Sequence, residues 1–407
     1  MSHPEPTSQT SPMSRAKSSN QPRPSNQTGP SDQTWPADQT GPVGTAVGGP
    51  AMALQATGLR KAFPLRRDLL GRVTERVHAV DGVDLAVPRG ETLGLVGESG
   101  SGKSTAARLA ALLIRADAGR VEVDGVDVTR ARGRELKALR GRLQMVFQDP
   151  YSALDPTKTV GHAVTEPLVV HGRRDDLADA AAALLTRVSL DPGLAARRPE
   201  ELSGGQRQRV CVARALALEP RVLIADEPTS ALDLSTRAGI LNLLLRLRQE
   251  SGQSMILVSH DFATVRHLSD RIAVMYLGRV VEEGPAEQIV EAPLHPYTKA
   301  LLSAVPVPDP VVQRGRRRTV LQGDPPNPAA PPAGCNFRAR CPIAVAECAR
   351  VDPELLAVGA DHRAACIRVD PAGTPPPDPA GTPPPDRADQ PRPGTGPTTT
   401  ESVKTRS

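Results

Sequence analysis

The stretch that decides the reading is Gly97-Glu98-Ser99-Gly100-Ser101-Gly102-Lys103-Ser104-Thr105. It lies between the apolar run Thr92-Leu93-Gly94-Leu95-Val96 and the sequence Ala106-Ala107-Arg108-Leu109-Ala110-Ala111-Leu112-Leu113. A buried strand that breaks into glycines and restarts as a helix turns successive backbone N–H groups inward, with the positive end of the helix dipole behind them. Such a loop is a cradle for an anion. Lys103 is placed to reach the β and γ phosphates of a nucleoside triphosphate and Ser104 to offer its hydroxyl to Mg²⁺, while Gly97 to Thr105 supply the loop itself.

Working outward, three more apolar runs end in polar residues suited to the same chemistry. Leu143-Gln-Met-Val-Phe147 stops at Gln148-Asp149-Pro150, because proline cannot continue a central ladder, and leaves Gln148 at a strand tip within reach of Mg²⁺ or an attacking water. Val222-Leu-Ile-Ala225 delivers the adjacent carboxylates Asp226 and Glu227, and strand alternation is expected to point them in different directions, which suits two different jobs. Met255-Ile-Leu-Val-Ser259 delivers His260. Open α/β sheets gather ligands beyond the C-terminal ends of their strands, so these tips are expected to meet the phosphate loop. Between them, Leu202-Ser203-Gly204-Gly205-Gln206 opens a helical run from Arg207 to Leu218 and forms a second helix N-terminus suited to an anion. Phe63 stands where its ring could stack on adenine or simply fill core; the sequence allows both.

The rest of the 407 residues bounds the molecule. Residues 1–52 are rich in Ser, Pro, Gln, Thr and Gly and contain a near-repeat, and residues 370–407 begin with Asp-Pro-Ala-Gly-Thr-Pro-Pro-Pro twice. Such segments lack the apolar surface to offset the entropy of ordering, so both are expected to be disordered tails. The net charge of +5 is mild, its one sharp cluster being Arg-Gly-Arg-Arg-Arg at 314–318. With aromatic residues at 2% of the chain there is little to stack nucleic-acid bases on, and no nucleic-acid partner is expected. No apolar run reaches the length of a membrane span and the start of the chain lacks a secretory core, so a cytosolic protein is expected, with any membrane role reached through a partner.

In order and content these segments resemble the nucleotide-binding domain of an ATP-binding cassette (ABC) transporter. The match comprises the Walker A loop (Gly97 to Ser104), Q-loop (Gln148), signature (Leu202 to Gln206), Walker B (Val222 to Glu227), D-loop (Ser230 to Asp233) and switch histidine (His260). More narrowly, Asp149-Pro-Tyr-Ser-Ala-Leu-Asp-Pro156, His295-Pro-Tyr-Thr-Lys-Ala-Leu-Leu-Ser-Ala-Val-Pro306 and a cysteine-bearing extension resemble the ATP-binding subunits of oligopeptide and dipeptide importers. Relatives that import nickel or other small solutes share these motifs, which leaves the cargo open. The resemblance implies an α/β P-loop fold over 53–305: a RecA-like core sheet, an antiparallel β subdomain and an α-helical signature subdomain, followed by a small extension over 306–369.

It also implies an assembly: two permease subunits, a substrate-binding protein outside the membrane, and a second ATPase, paralogue or self, at the cytoplasmic face of the membrane. In that arrangement two ATP molecules are sandwiched, each between Walker A of one domain and Ser203, Gly204, Gly205, Gln206 and Asp233 of the other. Catalysis falls to Lys103, Gln148, Glu227 as general base and His260 as γ-phosphate sensor, with Mg²⁺ held by Ser104, Gln148 and Asp226. A soluble cassette ATPase acting on DNA or ribosomes is the rival. Repair-type relatives place a long coiled coil between Walker A and the signature, but here Lys103 and Ser203 are only about 100 residues apart with no sustained heptads, and the chain carries one cassette rather than two.

Four of the five cysteines crowd into the extension as Cys335-x₅-Cys341-x₆-Cys348-x₁₇-Cys366. In a reducing compartment such a group suits a metal or packed thiols better than disulfides, and the paired Cys-x₂-Cys of most zinc ribbons is missing. Some importer ATPases resembling this one hold a [4Fe–4S] cluster here, so the resemblance implies a cluster on Cys335, Cys341, Cys348 and Cys366.

Overall fold

The computed structural model describes residues 51–306, 309, 314, 319, 321, 323–359 and 361–370. The expected tails lie outside the described residues but for their innermost positions, as does most of the 314–318 run. Two long strands, β1 (Met52–Arg67) and β2 (Val73–Pro88), open the described chain as one antiparallel hairpin. The pairing runs to the exposed end of the hairpin, where Phe63 pairs with Val77 and Arg67 with Val73, and Asp68 closes the turn by accepting from the N–H groups of Leu70 and Arg72. The outer end of β1 is exposed, so no buried face imposed the alternation that marks a strand in sequence.

Next come the fully buried β3 (Thr92–Val96) and, across the glycine loop, α1 (Lys103–Ala110). A tight hairpin of β4 (Ala118–Val123) and β5 (Val126–Asp127) turns at Asp124 and Gly125, both at positive φ, as a two-residue loop between right-twisted strands requires. Helix α2 (Gly133–Arg142) leads into β6 (Leu143–Val146), followed by four helices: α3 (Pro150–Ala153), α4 (Val160–Val170), α5 (Leu177–Arg187) and α6 (Gly204–Leu216). The chain then alternates through β7 (Val222–Asp226), α7 (Leu234–Ser251), β8 (Ser254–Ser259), α8 (Phe262–Leu268), β9 (Arg271–Tyr276) and β10 (Arg279–Pro285). Two short helices, α9 (Ala286–Glu291) and α10 (Pro296–Ser303), precede the extension with its two-residue strands β11 (Leu356–Ala357) and β12 (Arg363–Ala364).

Two sheets result. The first is antiparallel, in the order β2-β1-β4-β5, and the second is eight-stranded, in the order β11-β12-β10-β9-β3-β8-β7-β6. Within the second, β9, β3, β8, β7 and β6 run parallel, so the loops after β3, β6, β7 and β8 leave from one end. β3, β7 and β8 are buried along their whole length, which is why they read as unbroken apolar runs rather than alternating ones. One core layer packs the antiparallel sheet and α1 against the eight-stranded sheet, with Leu54, Val83, Leu95 and Leu109 among its members. On the opposite face a second layer joins the helices through Leu185, Val210, Leu244 and Val265. Each fully buried side chain of this kind contributes roughly 1.5–3 kcal/mol relative to exposure, so the strand tips stand on a stiff base.

The extension is built into this frame. β12 pairs with β10. Phe337 enters the second core layer, its ring 5.2 Å from Tyr276 and 5.4 Å from Tyr297 between centroids. The fully buried carboxylate of Glu282 accepts from the backbone N–H groups of Leu294 (2.6 Å) and His295 (3.0 Å) and lies 2.9 Å from His362 Nε2. A charge taken from water is stable only with such partners, and here they tie β10, the start of α10 and the extension together.

Candidate nucleotide site

The phosphate loop is shaped by what its glycines must avoid. A Cβ on Gly102, which sits at φ 100°, would lie 2.1 Å from the Ala79 carbonyl oxygen, and one on Gly97 would lie 2.2 Å from that of Met275. Gly100 meets nothing within 4 Å and serves through its φ of 78°. Lys103 is buried and folded over the loop, donating to the carbonyls of Gly97 and Glu98, both at 2.8 Å. Burial lowers the pKa of its ammonium, against Glu227, Asp226 and Glu98, which hold it up. The head group is therefore poised to exchange two carbonyls for phosphate oxygens.

At the tip of β7, Ser104 Oγ donates to Asp226 Oδ1 at 2.8 Å. Asp226 Oδ2 is buried without a hydrogen-bond partner, its nearest cation being Arg108 at 3.8 Å. Burial raises the Asp226 pKa, with Ser104 and Arg108 opposing. An orphaned carboxylate oxygen beside a hydroxyl is a donor set for a hard cation, so Ser104 and Asp226 fit Mg²⁺, which would neutralise phosphate charge.

Glu227 lies beyond the end of β7 at φ 46°. The two carboxylates do diverge, but a left-handed residue at the strand end does it rather than strand alternation. Such a conformation costs a non-glycine residue on the order of 1–3 kcal/mol and recurs where function holds it. Glu227 Oε2 accepts from Gln148 Nε2 at 3.0 Å and lies 3.3 Å from His260 Nδ1. Two side chains from neighbouring strand tips thus converge on one carboxylate oxygen at a third, where an attacking water would be oriented.

A cavity of about 490 Å³ brings together Ser99, Gly100, Gly102, Lys103, Ser104, Thr105, Gln148, Glu227 and His260. Sequence reasoning missed its other wall, made by Val77, His78 and Ala79 of β2, Leu277 and Gly278 after β9, and Pro328 of the extension. Phe63 is not among the lining residues; it is 39% exposed and pairs across the hairpin with Val77, which does line the cavity. The signature residues are absent from the lining as well. Ser203 caps α6, accepting from Gln206 N at 3.3 Å while Gln206 Oε1 accepts from Ser203 N at 2.9 Å. Gly204 follows the cap, and Gly205 packs against α7, where a Cβ would lie 2.4 Å from Thr236 Cγ2. Asp233 caps α7 by accepting from Thr236 N, and its hydrogen bonds with Ser235 and Thr236 hold its carboxyl well below the usual range.

The iron–sulfur expectation finds no support among the described residues. Cys335, Cys341, Cys348 and Cys366 do line one recess, but its open volume is only about 10 Å³. Among the described residues no three of His, Cys, Asp or Glu are arranged to hold a metal ion. Burial pushes the thiols of three of them up, Cys341 to about 11 and Cys335 and Cys366 in the same direction.

Comparison with known proteins agrees with the strand-tip geometry. A family model for ABC transporters matches residues 80–230, and one for the oligopeptide/dipeptide transporter C-terminal region matches 281–348. The chain is 49% identical over 298 residues to the oligopeptide transport ATP-binding protein OppF of Salmonella typhimurium, covering 72% of this chain and 89% of that one. It is 44% identical over 316 residues to the oligopeptide transport ATP-binding protein AppF of Bacillus subtilis, covering 77% and 96%. A dimeric, post-hydrolysis ATP-binding cassette bound to ADP and Pi superposes with a TM-score of 0.51 at 30% identity, covering 57% of this chain and 98% of that one. Motif order, strand-tip convergence and these likenesses together place the chain in the ABC transporter family, as an ATP-hydrolysing subunit of its oligopeptide/dipeptide branch.

Proposed function

We propose that this chain energises import of di- or oligopeptides through a pair of permease subunits, docked peripherally at the cytoplasmic face of the membrane and supplied by an extracytoplasmic binding protein. No helix among the described residues is long and apolar enough to cross a membrane, so the pathway itself belongs to partners. The observation that carries the reading is the convergence of Gln148 and His260 on Glu227 Oε2, since hydrolysis needs an aligned water and neutralised phosphate more than covalent chemistry. Lys103 and the loop hold the phosphates, Ser104, Gln148 and Asp226 hold Mg²⁺, Glu227 takes the water's proton, and His260 senses the γ-phosphate.

Ser203, Gly204, Gly205, Gln206 and Asp233 then serve a nucleotide on a second cassette, and loss of the γ-phosphate lets the pair open. Next to Gln148 a groove of about 640 Å³, lined by Arg108, Arg140, Asp149, Glu166 and His171, supports a docking place for a permease helix, with Tyr151 60% exposed beside it. The peptide cargo rests on the match over 281–348 and on the names of the relatives. Disrupting the gene in its host and measuring uptake of a labelled tripeptide and of nickel tests it. Peptide uptake should fall and return with the wild-type gene but not with Glu227→Gln; loss of nickel uptake with peptide uptake intact would replace the cargo.

A further inference from the structure

The extension reaches the phosphate loop through one residue whose role the catalytic motifs do not cover. Arg340 is nearly buried, its side chain 7% exposed, and it grips Glu98 with two parallel bonds, Nη1 to Oε2 at 2.8 Å and Nη2 to Oε1 at 2.9 Å. Glu98 is held on its other sides too. Its N–H donates to Tyr297 Oη at 2.9 Å and its carbonyl accepts from Lys103 Nζ at 2.8 Å. Tyr297 is fully buried against the rings of Tyr276 and Phe337 in the second core layer, and the Arg340 guanidinium lies 5.9 Å from the Tyr276 ring centre.

The charge matters as much as the grip. Glu98 belongs to the loop that must accept a triphosphate, and a free carboxylate there would repel it. A bidentate guanidinium cancels that charge and fixes its direction, which a lysine's point charge does less well. We propose that Arg340 is a positioning residue for ATP binding: by neutralising and orienting Glu98 it lets the C-terminal extension set the nucleotide affinity of the phosphate loop. The extension meets the same cavity a second time, where Pro328 lines the wall and its carbonyl accepts from His78 N at 3.3 Å.

The proposal rests on ATP binding at the strand tips, so Lys103→Ala is the control for that reading. In the purified full chain, Arg340→Met should raise KM for ATP about tenfold, equivalent to about 1.4 kcal/mol, with kcat changed far less. Removing the repelling charge as well, in Arg340→Met with Glu98→Gln, should bring KM back to within about twofold of wild type. A pure staple predicts the opposite, since the double variant is no better stapled than the single. Arg340→Lys, which keeps the charge and most of the packing, should fall between and covers the case in which Arg340→Met does not fold, judged by thermal melting. Unchanged KM in Arg340→Met and Arg340→Lys, or no recovery in the double variant, overturns the proposal. If Lys103→Ala itself binds ATP normally, the site reading fails instead.

Discussion

The strand tips and the signature turn both carry helix N-termini and glycines, yet they are built on opposite plans. At the strand tips, the segments that follow four parallel strands bring Ser104 onto Asp226 and both Gln148 and His260 onto Glu227 within one chain, with Lys103 lining the same cavity. At the signature, Ser203 and Gln206 satisfy each other in a reciprocal cap, and none of Ser203 to Gln206 lines the cavity. The first group keeps an orphaned carboxylate oxygen and a strained residue, as a site does when its ligand completes it. The second is locally complete, which is what the proposed role opposite a second cassette's nucleotide asks of it.

The largest effect should come from breaking the strand-tip side. Glu227→Gln is expected to bind ATP while losing roughly 10²–10⁴-fold in turnover, the usual contribution of a general base, and to accumulate ATP-bound dimers in size-exclusion chromatography. Hydrolysis at the wild-type rate would remove Glu227 from the role. The signature side is tested by complementation, because its defect should appear on the neighbour. Ser203→Arg and Lys103→Ala should each be inactive alone, yet mixed in equal amounts they should recover about a quarter of wild-type activity, since half of randomly formed pairs keep one intact site of two. No recovery on mixing would mean that the signature serves its own chain or that the pairing is with a paralogue.

A third comparison sets two glycines against each other. Gly102→Ala drives a methyl against a backbone carbonyl at 2.1 Å in a residue at φ 100°, whereas Gly205→Ala meets only the Thr236 methyl, at 2.4 Å. Backbone cannot step aside as a side chain can. Gly102→Ala should lower ATP affinity at least about tenfold, while Gly205→Ala should cost about 1–3 kcal/mol of stability and leave its own loop's ATP affinity nearly unchanged in a nucleotide titration. Equal losses of affinity in both would erase the distinction drawn above.

How much of this could be read from the sequence follows from the same contrast. β3, β6, β7 and β8 were legible because each is an apolar run ended by a polar residue, and parallel pairing alone brings their tips together. Residues whose place depends on packing were not. The outer end of the β1–β2 hairpin is exposed and lacks a buried stripe, and Phe63 takes its position from pairing with Val77 rather than from any local signal. The four cysteines are a further case: they line one recess, a closeness that packing of the extension creates and their spacing alone does not give. Tyr297 and Arg340 meet Glu98 across about 200 and 240 residues of chain, a contact no pattern of neighbouring residues encodes.

The smallest effect expected is a dependence on acid that acts through one side of the comparison only. His295 caps α10, its Nδ1 accepting from Tyr297 N at 3.1 Å, and Tyr297 in turn holds the phosphate loop at Glu98. Accepting that bond requires an unprotonated Nδ1. Burial lowers the His295 pKa from 6.5 to about 4, against Glu282, which pulls it up. The unfolded chain therefore binds a proton that the folded chain refuses between those values, so this contribution to stability is complete above pH 6.5 and declines as pH falls towards 4. Between roughly pH 7.5 and pH 5.5 the loss amounts to about 1 kcal/mol, or about 2–4 °C in Tm for a domain of this size. His295→Asn keeps a side-chain oxygen able to cap the helix but does not titrate in this range. It should flatten the fall in Tm between those two pH values relative to wild type. An identical fall in the variant would show that acid acts elsewhere and that the α10 anchor is indifferent to it.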